Sequence, residues 1–148
     1  ANDILPFVVE NLATYAQGTS REELAAAREH FGFFGASYGS YLNNNCILGH
    51  CLDLVSYFGF AGGGRMSYDR LLGLWEEYGH ESLPINCLYI AIGGYDDRYP
   101  PEISYYNLKA DTERFNDENL YYSLLSGIHH EPREWLNGLY NSLQLFFR

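Results

Sequence analysis

The chain has 148 residues, 47% of them apolar and 19% charged, with 19 acids against 9 bases and a formal charge of -10. This length suits one domain, expected to run over 1–148 with residues 1–18 as an N-terminal extension, and the composition excludes a disordered tail. So negative a chain repels nucleic acid and anionic membranes, and no apolar run reaches the roughly 18–20 residues of a bilayer span.

The first residues show no basic stretch followed by an apolar core, so no signal peptide is read and a cytoplasmic protein is expected. The cysteines, Cys46, Cys51 and Cys87, are odd in number and read as free thiols in a reducing compartment. Cys46 and Cys51 lack a second ligand pair at zinc spacing, so buried thiols are expected, with no metal and no cofactor.

In chain order, Ile4, Leu5, Phe7, Val8 and Leu12 predict a short helix ended by Gly18. Ser20 and Glu23 stand at capping-box spacing and open a helix over 20–31, stopped by Gly32. Residues 33–42 are aromatic and glycine-rich, with Tyr38, Tyr41 and Leu42 at helical spacing. Asn43, Asn44 and Asn45 read as a turn, and 46–60 as one long strand or two short ones. Gly62, Gly63 and Gly64 form a loop without the Lys-Ser/Thr of a phosphate loop. Ser67 caps a helix running to Tyr78 and closed by Gly79. A strand over 86–92, a polar loop over 93–101 and a strand over 102–108 make a hairpin. A charged linker covers 111–119, and 120–125 reads as a short helix. Pro132 opens the last helix, whose buried stripe is Trp135, Leu136, Leu139, Tyr140, Leu143 and Phe147. The order predicts an α+β fold, a single domain with a central antiparallel sheet flanked by helices.

Residues 76–118 hold ten acids against three bases, -7 of the total charge. Tyr95, Tyr99, Tyr105 and Tyr106 are interleaved with them, which suits an acidic docking surface: clustered charge steers encounter and aromatic anchors supply affinity. The expected contact residues are Tyr95, Asp96, Asp97, Tyr99, Glu102, Tyr105, Asp111 and Glu113. Tyr38, Tyr41, Tyr78 and Tyr140 are expected in the core.

The helix over 20–31 with Gly32, the segment Gly35-Ala36-Ser37-Tyr38-Gly39-Ser40-Tyr41-Leu42, Leu83-Pro84 before Leu88-Tyr89-Ile90-Ala91-Ile92-Gly93, the segment Ile103-Ser104-Tyr105-Tyr106-Asn107 and Glu134-Trp135-Leu136 occur in the order of the SUKH superfamily's motifs. The chain resembles that superfamily, whose bacterial members are often toxin-immunity proteins. The resemblance implies an α+β fold and binding rather than catalysis: a protein that neutralises a cognate toxin, basic and in some cases a nuclease, with neither nucleic acid nor membrane as partner. A regulatory adaptor without a toxin is a variant of this reading.

The enzymatic alternative is a small hydrolase using Cys51 or Cys87 with a histidine. No Gly-x-Ser-x-Gly and no His-Glu-x-x-His pattern is assigned. His129, His130 and Glu131 form the most site-like cluster, but adjacent side chains in an extended segment point apart, which disfavours a shared metal. Asp96 and Asp97 read as solvated turn residues.

Overall fold

The apolar segments 57–61 and 87–93 become strands covered on both sides. The computed structural model describes residues 2–63, 67–96 and 102–148, the side chains of Glu102 and Ile103 apart. Strands β2 (Tyr57–Ala61) and β3 (Cys87–Gly93) are buried along their whole length. β1 (Gly32–Ala36) and β4 (Leu120–Leu125) flank them, in the order β1-β2-β3-β4. All three pairings are parallel, with Ala36 opposite Ala61 and Ala61 opposite Ala91.

The antiparallel sheet is therefore corrected to an all-parallel one, and the fold class to α/β. Parallel neighbours need crossovers, which helices supply. Helix α1 (Ile4–Asn11) and α2 (Arg21–Ala26) precede β1. Next come α3 (Tyr38–Leu42), a π turn (Asn43–Ile47) and α4 (Leu48–His50), then α5 (Tyr68–Tyr78), α6 (Glu102–Ala110) and α7 (Pro132–Leu143).

Strand alternation divides the core into two faces. Phe58, Phe60, Leu88 and Ile90 pack with Leu48, Leu52, Trp75, Leu108 and Phe115. Tyr57, Ala61, Cys87, Tyr89 and Ala91 pack with Phe146 on the other face, which α7 covers.

Local chemistry explains the elements that match expectation. Ser20 and Glu23 form the expected reciprocal cap on α2. That helix ends early because Arg28 turns inward, its Nε donating to Leu52 O at 3.0 Å and a terminal nitrogen to Pro84 O at 2.8 Å. Ser67 caps α5, and Gly79 ends it at φ 68°. Four expectations are corrected. Residues 43–50 are helical and only the end of 46–60 is strand. The 102–108 strand is helix, with Ser104 and Leu108 buried one turn apart, and the 120–125 helix is strand β4.

The fourth is the inner face of α7. Glu134, Gly138 and Ser142 are buried, whereas Leu136, Tyr140, Leu143 and Phe147 are exposed. Small residues let the helix approach: a Cβ on Gly138 would stand 2.6 Å from Ala61 Cβ. Tyr38, Tyr41, Tyr78 and Tyr140 are likewise exposed, not core.

β1 and α3 pack closely enough to give a test. A Cβ on Gly35 would lie 2.2 Å from the Gly39 carbonyl oxygen, while one on Gly39 meets nothing within 4 Å. Gly35→Ala is expected to cost about 2–3 kcal/mol and Gly39→Ala within about 0.5 kcal/mol of nothing, read from urea unfolding midpoints.

Candidate active site

The strand-to-helix turn after β1 carries a serine in a conformation that L residues rarely enter. Ser37 has φ 53° and ψ -117°. Its N–H donates to Ala61 O at 2.9 Å, extending the β1–β2 ladder one residue beyond Ala36. Three residues on, Ser40 is fully buried. Its Oγ lies 2.8 Å from Gly35 O and 2.9 Å from Ala61 O and accepts the Ala61 N–H at 3.2 Å. The turn is thus clamped from both sides of the serine. Gly35-Ala36-Ser37-Tyr38-Gly39 also satisfies Gly-x-Ser-x-Gly, so the absence of that pattern is corrected. The motif has the required context, a strand followed by a sharp turn into a helix.

Two loops at the same end of the sheet bring the partners. The chain leaves β3 at Gly93 and reaches Asp96, whose N–H donates to Gly93 O at 2.9 Å. It leaves β4 at Leu125 and reaches His130 just before α7. Backbone bonds from Gly94 N to Leu125 O, 2.8 Å, and from Tyr95 N to Ile128 O, 3.0 Å, tie these loops together. His130 lies between serine and carboxylate: Nε2 is 2.8 Å from Ser37 Oγ, and Nδ1 is 2.7 Å from Asp96 Oδ2. With Asp96 ionised, Nδ1 carries the ring proton and donates to it, so Nε2 accepts from the serine hydroxyl. The Asp96 side chain is 0% exposed and that of His130 12%. The order along the chain is Ser, Asp, His.

Glu134 closes the inner side. Its carboxyl is wholly buried, Oε1 accepts the Gly93 N–H at 2.5 Å, and Oε2 is 3.6 Å from His130 Nδ1. Burial, then the neighbouring Asp96 charge, raise its pKa against the opposing Gly93 hydrogen bond. Asp96, His130 and Glu134 offer atoms within 4.8 Å of one another, the residues that could hold a cation. The same Nδ1 cannot ligate a cation while donating to Asp96, and Ser37 at the far nitrogen favours acid–base use of the ring.

Of the eight expected contact residues, Tyr95, Asp96, Tyr105, Asp111 and Glu113 have described side chains, and each makes different contacts. Asp96 belongs to the site just described. Tyr95 is exposed and packs its ring 5.0 Å from His129. Tyr105 stacks on Tyr122, and Glu113 faces solvent. Asp111 accepts from the Tyr68 hydroxyl and the Arg114 N–H; the Tyr68 bond holds its carboxyl below the usual range. Asp97 and Tyr99, and the Glu102 side chain, lie outside the described residues. Ser37 and Glu134 were missed; the five-residue motif could have found the serine.

The cysteine alternative is corrected as well, since the histidine bonded here faces a serine. Burial pushes the Cys51 thiol up and that of Cys87 to about 12, the reverse of an activated nucleophile. Cys46 is exposed and Cys51 half-buried, against the expectation of buried strand positions.

No family model matches the chain. Endo-1,4-beta-xylanase Y of Acetivibrio thermocellus is 26% identical over 161 residues, covering 98% of this chain and 14% of that protein. A serine-to-alanine mutant of the feruloyl esterase module from Clostridium thermocellum, complexed with sinapinate, superposes with a TM-score of 0.73 at 24% identity. The match covers 99% of this chain and 56% of that one. A further feruloyl esterase structure gives 0.72. The chain thus spans about half the length of these solved neighbours. With the parallel sheet, these matches overturn the SUKH resemblance, the toxin-immunity function and the expectation of a non-enzyme. The named relatives are hydrolytic enzymes.

Iodoacetamide at neutral pH is expected to modify Cys46 first and to leave Cys87 unmodified in the folded chain, with Cys87 reacting only in denaturant. Peptide mass spectrometry over time checks this; rapid alkylation of native Cys87 would contradict its burial.

Proposed function

We propose that this chain carries the nucleophile and acid–base machinery of a serine esterase. The supporting observation is the continuous hydrogen-bonded series Ser37–His130–Asp96, with the serine on a strained strand-to-helix turn. In this reading Ser37 Oγ attacks the ester carbonyl while His130 Nε2 takes its proton. Buried Asp96 holds the ring in the tautomer that can do so and stabilises the imidazolium formed. The N–H of Tyr38 opens a helix, where amides lack intrahelical acceptors, and supplies one donor to the developing oxyanion. The imidazolium then returns its proton to the leaving alkoxide oxygen, and the alcohol departs. A water, deprotonated by the same nitrogen, cleaves the acyl-serine and releases the acid.

The substrate class we assign is the ester of an aromatic carboxylic acid. Its support is the names of the solved neighbours, one of which binds sinapinate. Tyr38 adds an exposed aromatic face immediately after the nucleophile, stacked on Tyr41 with ring centroids 5.7 Å apart.

A fluorophosphonate probe is expected to label Ser37 once per chain. Ser37→Ala should abolish labelling and lower hydrolysis of 4-nitrophenyl acetate and methyl ferulate by at least about 10³-fold, and Asp96→Asn by about 10²–10⁴-fold. Labelling of Ser37→Ala at the wild-type rate would sink the assignment. A preference for methyl acetate over methyl ferulate would remove the aromatic-acid specificity and keep the esterase.

A further inference from the structure

The histidine at the centre of this site touches two carboxyl groups, and acid–base use of its ring calls for only one. Asp96 and Glu134 both have side chains with no exposure, and both approach the same nitrogen, His130 Nδ1, at 2.7 and 3.6 Å. The two carboxyl groups offer oxygens within 4.8 Å of each other; buried carboxylates at such range repel strongly and cannot recover their lost hydration, so such a pair keeps one proton. The hydrogen-bond geometry says where it resides. Asp96 makes the shorter, aligned contact to Nδ1–H and is the anion. Glu134 spends Oε1 on the Gly93 N–H, which leaves Oε2 as the oxygen on the histidine side.

The room for Glu134 is built in. Gly62 sits at φ 63°, and a Cβ there would stand 2.4 Å from Glu134 Oε2. The carboxyl is held at one end by the β3 terminus and at the other by the turn after β2. Asp96 and His130 are the titratable groups facing it among the described residues.

We propose that Glu134 is a positioning residue that stays protonated at working pH, its acid hydroxyl hydrogen-bonding Asp96 and so fixing the carboxylate that orients His130. It touches no reacting atom; it acts through Asp96. Burial as the main cause of its raised pKa, with Asp96 adding to it, agrees with a neutral group. This inference rests on the esterase reading and refines it: one proton, parked behind the Asp96–His130 pair, keeps the buried charge at that end to a single negative unit.

The test compares the rate of fluorophosphonate labelling of Ser37 against pH in the wild-type chain, Glu134→Gln and Glu134→Leu, with circular dichroism to establish folding. A neutral Glu134 is mimicked by the amide, which can also donate. Glu134→Gln is therefore expected to keep the plateau rate within about threefold and the pH midpoint of its acid limb within about 0.3 unit. Glu134→Leu, unable to hold Asp96, is expected to lower the plateau by about 10–100-fold. A fall of the Glu134→Gln midpoint by about one unit or more would overturn the proposal, because it would mean that a negative charge near His130 had been removed. Wild-type rates in Glu134→Leu would overturn it too, as would equal losses in both variants. Should Glu134→Leu fail to fold, the Glu134→Gln midpoint decides alone. A wild-type chain that does not label at Ser37 overturns the esterase reading instead, an outcome recognisable before any variant is made.

Discussion

Ser37 occupies a backbone conformation with positive φ that carries a cost of about 1–3 kcal/mol for a residue with a Cβ. Such a conformation persists only where its surroundings over-determine it, and here they do. The Ser37 N–H is spent on β2, the helix begins at the next residue, and buried Ser40 ties the β1 carbonyl of Gly35 to the β2 backbone. Gly35 lets the helix pass so close to the strand that no side chain fits between them. The consequence is an Oγ lifted off the end of the sheet and toward His130. The contact between Ser37 Oγ and His130 depends on that turn.

The other half of the site solves a different problem, that of keeping a carboxylate ionised without water. Asp96 has no exposed side-chain surface, and burying a charge there without a partner is costly. The imidazole Nδ1–H at 2.7 Å offsets the lost hydration and in return is locked in place. The loops that bring Asp96 and His130 are bonded to each other through backbone groups, so the pair is set before it meets the serine. Of the acids that the sequence suggests form a docking face, Asp96 is bonded to His130 and Asp111 to Tyr68.

Part of this was legible in advance. Caps and stops read well, because Ser20, Ser67, Gly79 and Pro132 act through local hydrogen bonds and backbone preferences that need no tertiary context. Strand direction did not, because β2 and β3 are buried on both faces and lose the alternation that marks a half-exposed strand. Segments 102–108 and 120–125 carry signals for both helix and strand, each being short with tyrosines that serve either period. The stripe of α7 misled because its inner face is made of Glu134, Gly138 and Ser142, chosen for size and chemistry and not for hydrophobicity. In the site, Ser37 stood in a readable five-residue motif, but the helical spacing of Tyr38, Tyr41 and Leu42 claimed the same residues. That Asp96 and His130 meet, 34 positions apart, is a product of the parallel topology and has no local signature.

Ala61 sits at the end of β2 with Ala36 on one side and Ala91 on the other. Its carbonyl receives the Ser37 N–H, its amide is bonded to Ser40, and its methyl group is the surface against which Gly138 of α7 rests. Helix α7 is the same element that carries Glu134 and begins beside His130. Ser37 and His130 are therefore located from one common reference surface, as a machinist places two holes from a single edge. A bending of the sheet at that point carries both together and leaves the distance between them nearly unchanged. A site measured from two separate references would accumulate both errors.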